Sequence, residues 1–376
     1  MSKTTVPLDP WHYARPELAQ KYLQSLDLGL CSARVLFGKR GIGKSEFLEL
    51  DLIPAAWSEG YVTAYLNLWE ARTHLTASLM AALGRALGPK ALSKLLRRLN
   101  IPQKMFETSG KPPDLANGLL EAELANHSAI AGLLLGEMLD GLDNPDKPML
   151  LVLDEAQVLA NPLHVELAHS LRAGLDNRKQ NIKVAFAGSS EAMLRRMFGR
   201  ESEPFYYWAP LEPFELLGAE FVKAMVAKVN KLSKSTLTEK EVMAAFVALN
   251  STPAMLRRYL SRYMAYAELG PQAALEDTQA HVFSNAKFTE AWKKMLPADR
   301  EVFKLLGNGE SDLHSEPTRL RLAQALGLDK PVSKDMPLHS LRRLQDEGLV
   351  AKLVNGEYQV HDDAFAEWLR NLELDS

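Results

Sequence analysis

The sequence predicts an α/β fold in which a parallel sheet is followed by a helical segment and a small C-terminal domain. Three observations support this prediction. Apolar runs at 33–37, 149–153 and 182–187 alternate with amphipathic helical patterns, the order typical of parallel strands joined by crossover helices. Beyond Pro213 the pattern becomes purely helical. Near the C-terminus, two short helical patterns precede a hairpin turn.

The composition is that of a globular chain with a nearly balanced charge. Its 376 residues include 47% hydrophobic residues and carry a net charge of −3, with a pI near 6.3. A chain of this length has room for about two to three domains. The small net charge gives no overall attraction to nucleic acid or to an anionic membrane. Any such contact must depend on a local patch.

The sequence also predicts a cytoplasmic protein. Cys31 is the only cysteine, so an internal disulfide is excluded and a reducing compartment fits. Residues 1–10 lack the basic, apolar and small-residue order of a secretion signal. The sequence has no run of about eighteen apolar residues, so we expect no membrane span.

The first half of the chain alternates helices and strands. An amphipathic helix at 15–28 precedes the strand at 33–37. The stretch 72–139 is predicted to be a helical insertion, broken at 101–113 by a loop rich in Pro and Gly. The other predicted elements are a helix at 46–56, a strand at 61–68, a strand ending at Asp154, a helix at 162–175 and the strand at 182–187.

The second half is predicted to form a helical lid and a winged helix. The lid has three helices at 214–227, 239–249 and 253–269, with Asn250-Ser251-Thr252 as turn and cap before the last. The winged helix has helices at 318–326 and 337–347, strands at 349–353 and 358–360, and a tight turn at Asn355-Gly356. The expected domains are an α/β core at 1–212, a lid at 213–285 and a winged-helix domain at 286–376.

A glycine-rich loop follows the first strand. The stretch Gly38-Lys39-Arg40-Gly41-Ile42-Gly43-Lys44-Ser45 fits the pattern G-x-x-x-x-G-K-[ST] at every fixed position. Its glycines permit positive φ and bring backbone N–H groups close to a polyphosphate. Lys44 then reaches the β- and γ-phosphates, and Ser45 ligates Mg²⁺ where the next helix begins. We assign these eight residues, and Glu46 after them, to nucleotide binding. We also expect the helix at 15–28 to border an adenine pocket.

The apolar run at 149–153 ends in two adjacent carboxylates, Asp154 and Glu155. Chemistry in open parallel sheets lies at the carboxyl ends of the strands, so we expect both side chains beside the phosphate loop. Asp154 would hold Mg²⁺ through water, and Glu155 would orient and deprotonate the attacking water. Without the loop, a buried strand capped by a solvated acidic pair would be the simpler interpretation. With it, the pair predicts hydrolysis, and we assign Lys44, Asp154 and Glu155 to catalysis.

Several polar residues are candidate sensors of the γ-phosphate. Ser189 and Ser190 follow the strand at 182–187, and we add Ser189 to the catalytic set. A Ser in this position also commonly caps the next helix. Four arginines are candidates for a finger that acts across a subunit interface, or are plain surface charges. They are Arg178, Arg195, Arg196 and Arg200.

The last lid helix carries a further candidate. Arg257 and Arg258 lie in its first turns, from where a closing lid can bring an arginine over the nucleotide. We therefore include both among the nucleotide-binding residues. The alternative is a solvated Arg-Arg pair on an amphipathic helix.

The second helix of the predicted winged helix carries a candidate DNA-reading face. Leu338, Leu341 and Leu344 share one face, which leaves an outward polar set of His339, Ser340, Arg342, Arg343 and Gln345. Residues 301–376 nevertheless contain nine Lys and Arg against fourteen Asp and Glu. Binding to duplex DNA depends on neutralising phosphates. DNA contact and a purely structural or regulatory role therefore both remain open.

Five motifs in this order resemble those of prokaryotic AAA+ and STAND-type P-loop ATPases of the origin-recognition-like branch. They are Gly38 to Ser45, Asp154-Glu155-Ala156-Gln157, Ala187-Gly188-Ser189-Ser190, Asn250 to Leu256, and Tyr358 to Leu369. The resemblance covers nearly the whole chain outside 71–139. It implies an α/β P-loop NTPase sheet, a helical lid and a C-terminal winged helix, with ATP and Mg²⁺ as cofactors. It also implies that Arg257 or Arg258 is the lid sensor, although relatives often have paired glycines where this chain has Asn250-Ser251-Thr252.

Two functional classes follow. In the first, ATP binding and hydrolysis control assembly or the engagement of double-stranded DNA through the winged helix. In the second, the same core is a signalling or defence switch whose partner is a protein, and the winged helix is an interaction or regulatory module. Both allow a nucleotide-dependent homo-oligomer, and neither involves a membrane. A scaffold that binds nucleotide without turnover is disfavoured because Glu155 is present.

Overall fold

The structure is a computed structural model that describes residues 9–101, 120, 128–233, 236–282, 286–310, 312–352, 358–362, 365–366 and 368–369. The chain divides into two compact units, Met1–Met225 and Val226–Ser376. None of the described helices is long and apolar enough to cross a membrane.

Five parallel strands form the sheet of the first unit. They are β1 (Ala33–Phe37), β2 (Val62–Asn67), β3 (Met149–Asp154), β4 (Ile182–Gly188) and β5 (Leu211–Pro213). The strand order is β2-β3-β4-β1-β5, so β4 lies between β1 and β3. In register, Val35 of β1 lies opposite Phe186, and Leu151 of β3 lies opposite Val184. The parallel sheet of the predicted α/β fold is confirmed.

Helices surround this sheet. They are α1 (Pro16–Asp27), α2 (Lys44–Phe47), α3 (Ile53–Ser58), α4 (Leu75–Leu87), α5 (Pro89–Arg98), α6 (Ser128–Leu142), α7 (Val165–Asp176) and α8 (Glu191–Gly199). In β3, Leu151 and Leu153 pack in the same apolar core as residues of α4 and α6, whereas Leu150 and Val152 pack in the core shared with α1. Burial on both faces explains why this strand is a continuous apolar run.

The predicted insertion supplies α4, α5 and α6 between β2 and β3. The predicted loop at 101–113 lies outside the described residues beyond Ile101. α4 is a core helix, because Ala77, Leu79 and Leu83 are almost fully buried. α4, which lies within the insertion, therefore forms part of the apolar core of the first unit.

The helix after the phosphate loop begins earlier than predicted and contains an irregular turn. Instead of one regular helix at 46–56, α2 is followed by a π-helical turn at Leu48–Leu52 and then by α3. Pro54 carries no N–H and cannot donate to the carbonyl four residues before it. The π-helical turn directly precedes this proline, where the regular ladder is interrupted.

The helical segment after the sheet differs from the prediction in two places. α9 (Ala219–Leu232) begins five residues later than predicted, because the Phe214 N–H donates to the Phe37 carbonyl at 2.8 Å and continues the pairing of β5. The helix predicted at 253–269 ends at Ala265, and a further helix begins at Gly270, whose φ is +78°. The helices after α9 are α10 (Glu239–Ala248), α11 (Pro253–Ala265) and α12 (Gly270–Val282). Within the described residues of this region there are four α-helices where three were predicted.

The C-terminal region combines helices with an antiparallel hairpin. Its elements are α13 (Ala286–Lys294), α14 (Pro297–Gly307), α15 (Glu316–Ala325), α16 (Asp335–Asp346), β6 (Val350–Lys352) and β7 (Tyr358–Val360). Phe303, Leu322 and Leu344 lie in its apolar core. The predicted Asn355-Gly356 turn lies outside the described residues.

The prediction of which α16 residues face outward was partly wrong. Ser340 is fully buried and Leu338 is only half-buried, so the helix is rotated from the predicted orientation. Arg343 donates from Nη2 and Nε to the buried Asp299 carboxylate of α14, at 2.6 and 2.9 Å. The exposed polar set that remains is His339, Arg342 and Gln345.

Candidate functional site

Three strand ends meet at one edge of the sheet. The parallel register sets Phe37, the last residue of β1, opposite Gly188, the last of β4. It also sets Leu153 of β3 opposite Phe186 of β4. The phosphate loop after β1, the acidic pair after Leu153 and the serines after Gly188 therefore lie at the same edge.

The phosphate loop turns sharply between β1 and α2. Gly41 and Gly43 have φ values of +80° and +95°, which side-chain-bearing residues rarely adopt. At Gly38 a Cβ would lie 2.4 Å from Ile42 Cδ1. Ile42 itself is buried in the core shared with α1 and anchors the loop. The loop conformation thus depends on three glycines and one apolar anchor.

Lys44 is enclosed by the loop. Its side chain is nearly buried, and Nζ donates to the carbonyls of Gly38 at 2.5 Å and Lys39 at 3.0 Å. Burial lowers the pKa of Lys44, while the nearby Glu155 and Asp154 carboxylates oppose this shift. The loop carbonyls hold a desolvated ammonium at the position that the sequence assigns to phosphate contact.

Ser45 and Asp154 are in direct contact. Ser45 Oγ donates to Asp154 Oδ2 at 2.5 Å, and the Glu155 N–H donates to Asp154 Oδ1 at 2.9 Å. Asp154 is fully buried, and burial raises its pKa above the ordinary value although both hydrogen bonds oppose the shift. The hydroxyl of Tyr65, a residue of β2, lies 3.4 Å from the same Oδ2. The Ser45 hydroxyl and the Asp154 carboxylate therefore lie together in one small polar site.

This oxygen pair suits Mg²⁺ chemically. Mg²⁺ in nucleotide sites is usually held by one or two protein oxygens, substrate phosphates and water. Among the described residues, no group of three or more His, Cys, Asp or Glu side chains is arranged to hold a metal ion. Ser45 and Asp154 would therefore bind such an ion together with phosphate oxygens rather than as a complete protein cage.

Glu155 is held in an unusual conformation. Its φ of +52° lies in the left-handed region, which is uncommon outside glycine. Its Oε2 accepts hydrogen bonds from Ser189 Oγ at 2.7 Å and from Gln157 Nε2 at 2.5 Å. Burial alone would raise the pKa of Glu155, but these hydrogen bonds and the charges of Lys44 and Arg40 outweigh it, so the pKa is lowered. The carboxylate is therefore ionised at neutral pH.

Gln157 is the site residue that the sequence analysis did not single out. It is almost fully buried, and its Nε2 lies 3.2 Å from Ser189 Oγ as well as beside Glu155. A Cβ at Gly188 would lie 2.2 Å from Gln157 Oε1. Gln157 is the last residue of the motif that begins at Asp154. Its contact with Gly188 and Ser189 could not be predicted from that motif, because the contact depends on β4 being the neighbour of β3.

The two serines after β4 have different environments. Ser189 contacts Glu155, whereas Ser190 is the N-cap of α8 and accepts a hydrogen bond from the Met193 N–H at 3.4 Å. Three of the four candidate finger arginines have local partners: Arg178 pairs with Asp140, Arg195 with Glu191 and Arg196 with Glu203. Arg200 is exposed. A finger role for any of them stays a prediction.

The remaining predicted nucleotide contacts have varied surroundings. Lys39 and Arg40 are exposed, and the Arg40 guanidinium lies over the Trp69 ring at 5.2 Å. The Glu46 carboxylate lies 2.7 Å from His12 Nδ1, so it is tied to the segment before α1. Arg257 is half-buried and Arg258 exposed, both on α11 in the second unit. Their role as lid sensors stays a prediction.

A cavity of about 470 Å³ borders α1, the helix expected beside an adenine pocket. It is lined by residues 13–15, 17–18 and 215–221, together with Lys21. Arg15 orders this region, since its guanidinium lies 4.7 Å from the Phe214 ring centroid and donates to the Glu215 carbonyl at 2.9 Å. Phe214 also belongs to the core that holds Ile42 of the phosphate loop. That this cavity holds the base of a nucleotide stays a prediction.

The fold is similar to those of solved ATPase structures. The Walker-type ATPase of Pyrococcus abyssi is 18% identical over 95% of each chain, with a TM-score of 0.56. The ORC2 protein of Aeropyrum pernix in its ADP form is 15% identical over 96% of this chain and 93% of that chain, with a TM-score of 0.53. The ORC1 protein of Aeropyrum pernix in complex with DNA is 14% identical over 96% of this chain and 94% of that chain, with a TM-score of 0.50.

No protein-family model and no curated protein matches this chain. At the identities of the solved structures, the likeness establishes the fold alone. The chain has the α/β P-loop fold of these ATPases, with a helical C-terminal region.

Gly188→Ala should lower the free energy of unfolding by about 1–3 kcal/mol, because the added methyl group overlaps Gln157 Oε1. Urea unfolding at equilibrium measures the change. Gly132→Ala is the matched control: a Cβ at this α6 position meets nothing within 4 Å, so we expect no loss, or a gain of up to about 1 kcal/mol.

Adding Gln157→Ala to Gly188→Ala should recover part of the lost stability, because it removes the overlapping amide. A double variant as unstable as Gly188→Ala plus the separate cost of Gln157→Ala would contradict the proposed contact.

Proposed function

We propose that this protein binds ATP with Mg²⁺ at the phosphate loop and hydrolyses it. The observation that supports this most strongly is the contact of Ser45 with Asp154, with Glu155 ionised directly beside it. It brings a metal-binding oxygen pair and a general base to the loop whose sequence is that of a phosphate cradle. The nucleotide-bound ORC2 structure has the same fold, which supports the choice of ligand class.

In this proposal each residue of the loop has a distinct task. The Gly38 N–H donates to the Gly188 carbonyl at 3.2 Å, so the backbone N–H groups from Lys39 to Lys44 contact the phosphates. The Lys44 ammonium leaves the loop carbonyls and binds β- and γ-phosphate oxygens instead. Ser45 and, through water, Asp154 would hold Mg²⁺, which would neutralise negative charge on the phosphates. Because Lys44 is already desolvated, its charge acts on the phosphates with little screening.

Glu155 is the proposed general base. It accepts the proton of the attacking water, and its lowered pKa keeps it ionised at neutral pH. Ser189 and Gln157 hold the carboxylate from two sides, so they orient it rather than react. Ser189 is also close enough to this carboxylate to contact the same water or the γ-phosphate, which is the sensor role expected of it.

We further propose that the nucleotide state controls assembly or DNA engagement, with an ATPase core at 1–212, a lid at 213–285 and a winged-helix domain at 286–376. The ORC1 protein in its complex with DNA has the same fold, and helices followed by a hairpin occur at the C-terminus of this chain. Arg257 or Arg258 would report lid closure.

A second function is favoured by one observation on α16. Ser340 is buried and Arg343 is tied to Asp299, so this helix offers fewer polar groups to a DNA groove than its sequence indicated. A winged helix used for regulation or protein contact, as in a signalling or defence switch, is consistent with that surface. Stimulation of ATP turnover by duplex DNA favours the first function, and turnover indifferent to DNA favours the second.

Glu155→Gln should preserve MgATP binding and reduce phosphate release by about 10²- to 10⁴-fold, because it removes the base and leaves the loop intact. Binding is measured by calorimetry and release by a phosphate assay. The control is Glu166→Gln, the same change on the exposed surface of α7, which should leave both values unchanged. Phosphate release by Glu155→Gln at the wild-type rate would disprove the catalytic assignment.

Gln157→Leu should shift the pH dependence of hydrolysis. The lowered pKa of Glu155 means that the base is ionised above that pKa and is lost as pH falls through it. Without the Gln157 hydrogen bond the pKa rises, so the acidic limb of the kcat profile moves to higher pH. The control is Gln180→Leu at an exposed position. An unshifted acidic limb, with kcat reduced equally at every pH, would contradict this role of Gln157.

A further inference from the structure

The turn after β2 lies at the same edge of the sheet as the phosphate loop. Asn67, the last residue of β2, lies opposite Asp154 in the parallel register, and the Leu68 N–H donates to the Asp154 carbonyl at 2.9 Å. Asn67 Oδ1 accepts hydrogen bonds from the Trp69 N–H at 3.1 Å and from the Glu70 N–H at 3.3 Å. An Asn side chain that bonds to the backbone two residues on commonly fixes a turn. Asn67 therefore orders the turn that carries Trp69 at this edge.

The Trp69 ring contacts two guanidinium groups. The guanidinium carbon of Arg40, in the phosphate loop, lies 5.2 Å from the ring centroid, and that of Arg72 lies 4.7 Å from it. Both distances are within the range of about 6 Å at which a cation is attracted to the face of a Trp ring. Arg72 also donates from Nη1 to the Trp69 carbonyl at 2.7 Å. Arg72 therefore anchors Trp69 through both its ring and its carbonyl, and the same ring contacts Arg40.

The contact with Trp69 leaves the hydrogen-bond donors of Arg40 available. Within the described part of the chain, the exposed Arg40 guanidinium donates no hydrogen bond and pairs with no carboxylate. A guanidinium contacts an aromatic ring through its face, whereas its N–H donors project from its edge in a rigid fork that matches the oxygens of a phosphate. Arg40 is therefore held by its face and open to a ligand at its edge.

The charge of Arg40 acts on two residues of the candidate site. Burial would raise the pKa of Glu155, but the hydrogen bonds that it accepts and the charges of Lys44 and Arg40 outweigh burial and lower it. Burial lowers the pKa of Lys44, and the charge of Arg40 contributes in the same direction. Because such effects weaken with distance, the Arg40 guanidinium lies near both the proposed base and the proposed phosphate-binding ammonium.

We propose that Arg40 binds the γ-phosphate of ATP within its own chain, and that Trp69 is the residue that positions it. The inference rests on the proposed function, because it needs a triphosphate in the loop. The γ-phosphate is the group that a water oriented by Glu155 would attack, and Arg40 lies near Glu155. Guanidinium donors on γ-phosphate oxygens stabilise the charge that develops during transfer, and an arginine can do this from the same chain.

A purely structural role is the alternative for these two side chains. An arginine that lies over a half-buried tryptophan covers apolar surface whatever ligand is present. Such a contact would affect the binding of ATP and ADP equally, or would affect neither. A γ-phosphate contact affects only a nucleotide that carries a γ-phosphate. A comparison of ADP with a triphosphate therefore separates the two roles.

The first test is Arg40→Gln in the full chain. Calorimetry with Mg²⁺ measures the affinity for ADP and for the imidodiphosphate analogue of ATP, which is hydrolysed slowly. We expect unchanged ADP affinity and about 10- to 100-fold weaker binding of the analogue, the loss expected for one hydrogen bond to a charged group. Arg342→Gln, at an exposed position of α16, is the matched control and should leave both affinities unchanged. Equal weakening of both ligands, or no weakening of either, would overturn the proposal.

The second test asks whether Trp69 acts through Arg40. Trp69→Leu removes the aromatic face and should weaken binding of the analogue by about 2- to 5-fold, the effect of one exposed cation–π contact, with ADP affinity unchanged. Trp69→Phe keeps an aromatic face and should restore binding to near the wild-type value. The double variant Arg40→Gln/Trp69→Leu should lose no more than Arg40→Gln alone, because no guanidinium is left to position. Additive losses would overturn the positioning role.

Trp57→Leu is the matched control for the loss of a tryptophan ring. Trp57 is 49% exposed on α3, and its Nε1 donates to Thr63 Oγ1 near the start of β2, at the opposite end of the strand that leads to Trp69. We expect this variant to bind both ligands as the wild type does. A loss equal to that of Trp69→Leu would show that the Trp69 effect is not specific and would overturn its positioning role.

Wild-type binding and turnover separate this inference from the proposed function. A wild type that binds neither ligand would overturn both. A wild type that binds and hydrolyses ATP, with an Arg40→Gln variant that does so equally well, would refute the Arg40 contact and leave the ATPase proposal standing. A selective loss of analogue binding in Arg40→Gln, in a protein that does not hydrolyse ATP, would do the reverse.

Discussion

The hydrogen bond from Ser45 Oγ to Asp154 Oδ2 is the interaction on which the site depends. It joins residues 109 positions apart in the chain, one at the start of α2 and one at the end of β3. Because β4 lies between β1 and β3, the phosphate loop must reach across one strand to make this contact. The sheet order, the glycines of the loop and the burial of Asp154 all serve to keep these two oxygens together.

Adjacent carboxylates acquire different properties from their surroundings. Burial raises the pKa of Asp154, whereas hydrogen bonds from Gln157 and Ser189 outweigh burial and lower the pKa of Glu155. Opposite shifts in neighbouring acids are a common way to divide chemical roles. Here they suit a metal ligand, whose ionised form a nearby cation would favour, and a base that stays ionised. The left-handed backbone at Glu155 directs the two side chains to different partners.

Much of this arrangement could be predicted from local patterns. The three main strands, the phosphate loop and the acidic pair are short contiguous motifs whose residue types have direct chemical meaning. What the sequence could not predict is set by neighbours far away in the chain. The role of Gln157 depends on Gly188 of the adjacent strand, and the burial of Ser340 depends on how α16 packs in the C-terminal core. The extra helix α12 begins at Gly270, which has a positive φ, whereas the sequence pattern predicts only a helix at 253–269.

The most direct test of the central claim is calorimetric titration of ATP into the wild type, Lys44→Ala and Asp154→Asn, with and without Mg²⁺. The account predicts that Mg²⁺ strengthens binding to the wild type, that Lys44→Ala weakens binding by about 10- to 100-fold through loss of a charged hydrogen bond, and that Asp154→Asn loses most of the Mg²⁺ effect. A wild type that binds no nucleoside triphosphate, or that binds it equally well in all three forms, would contradict it.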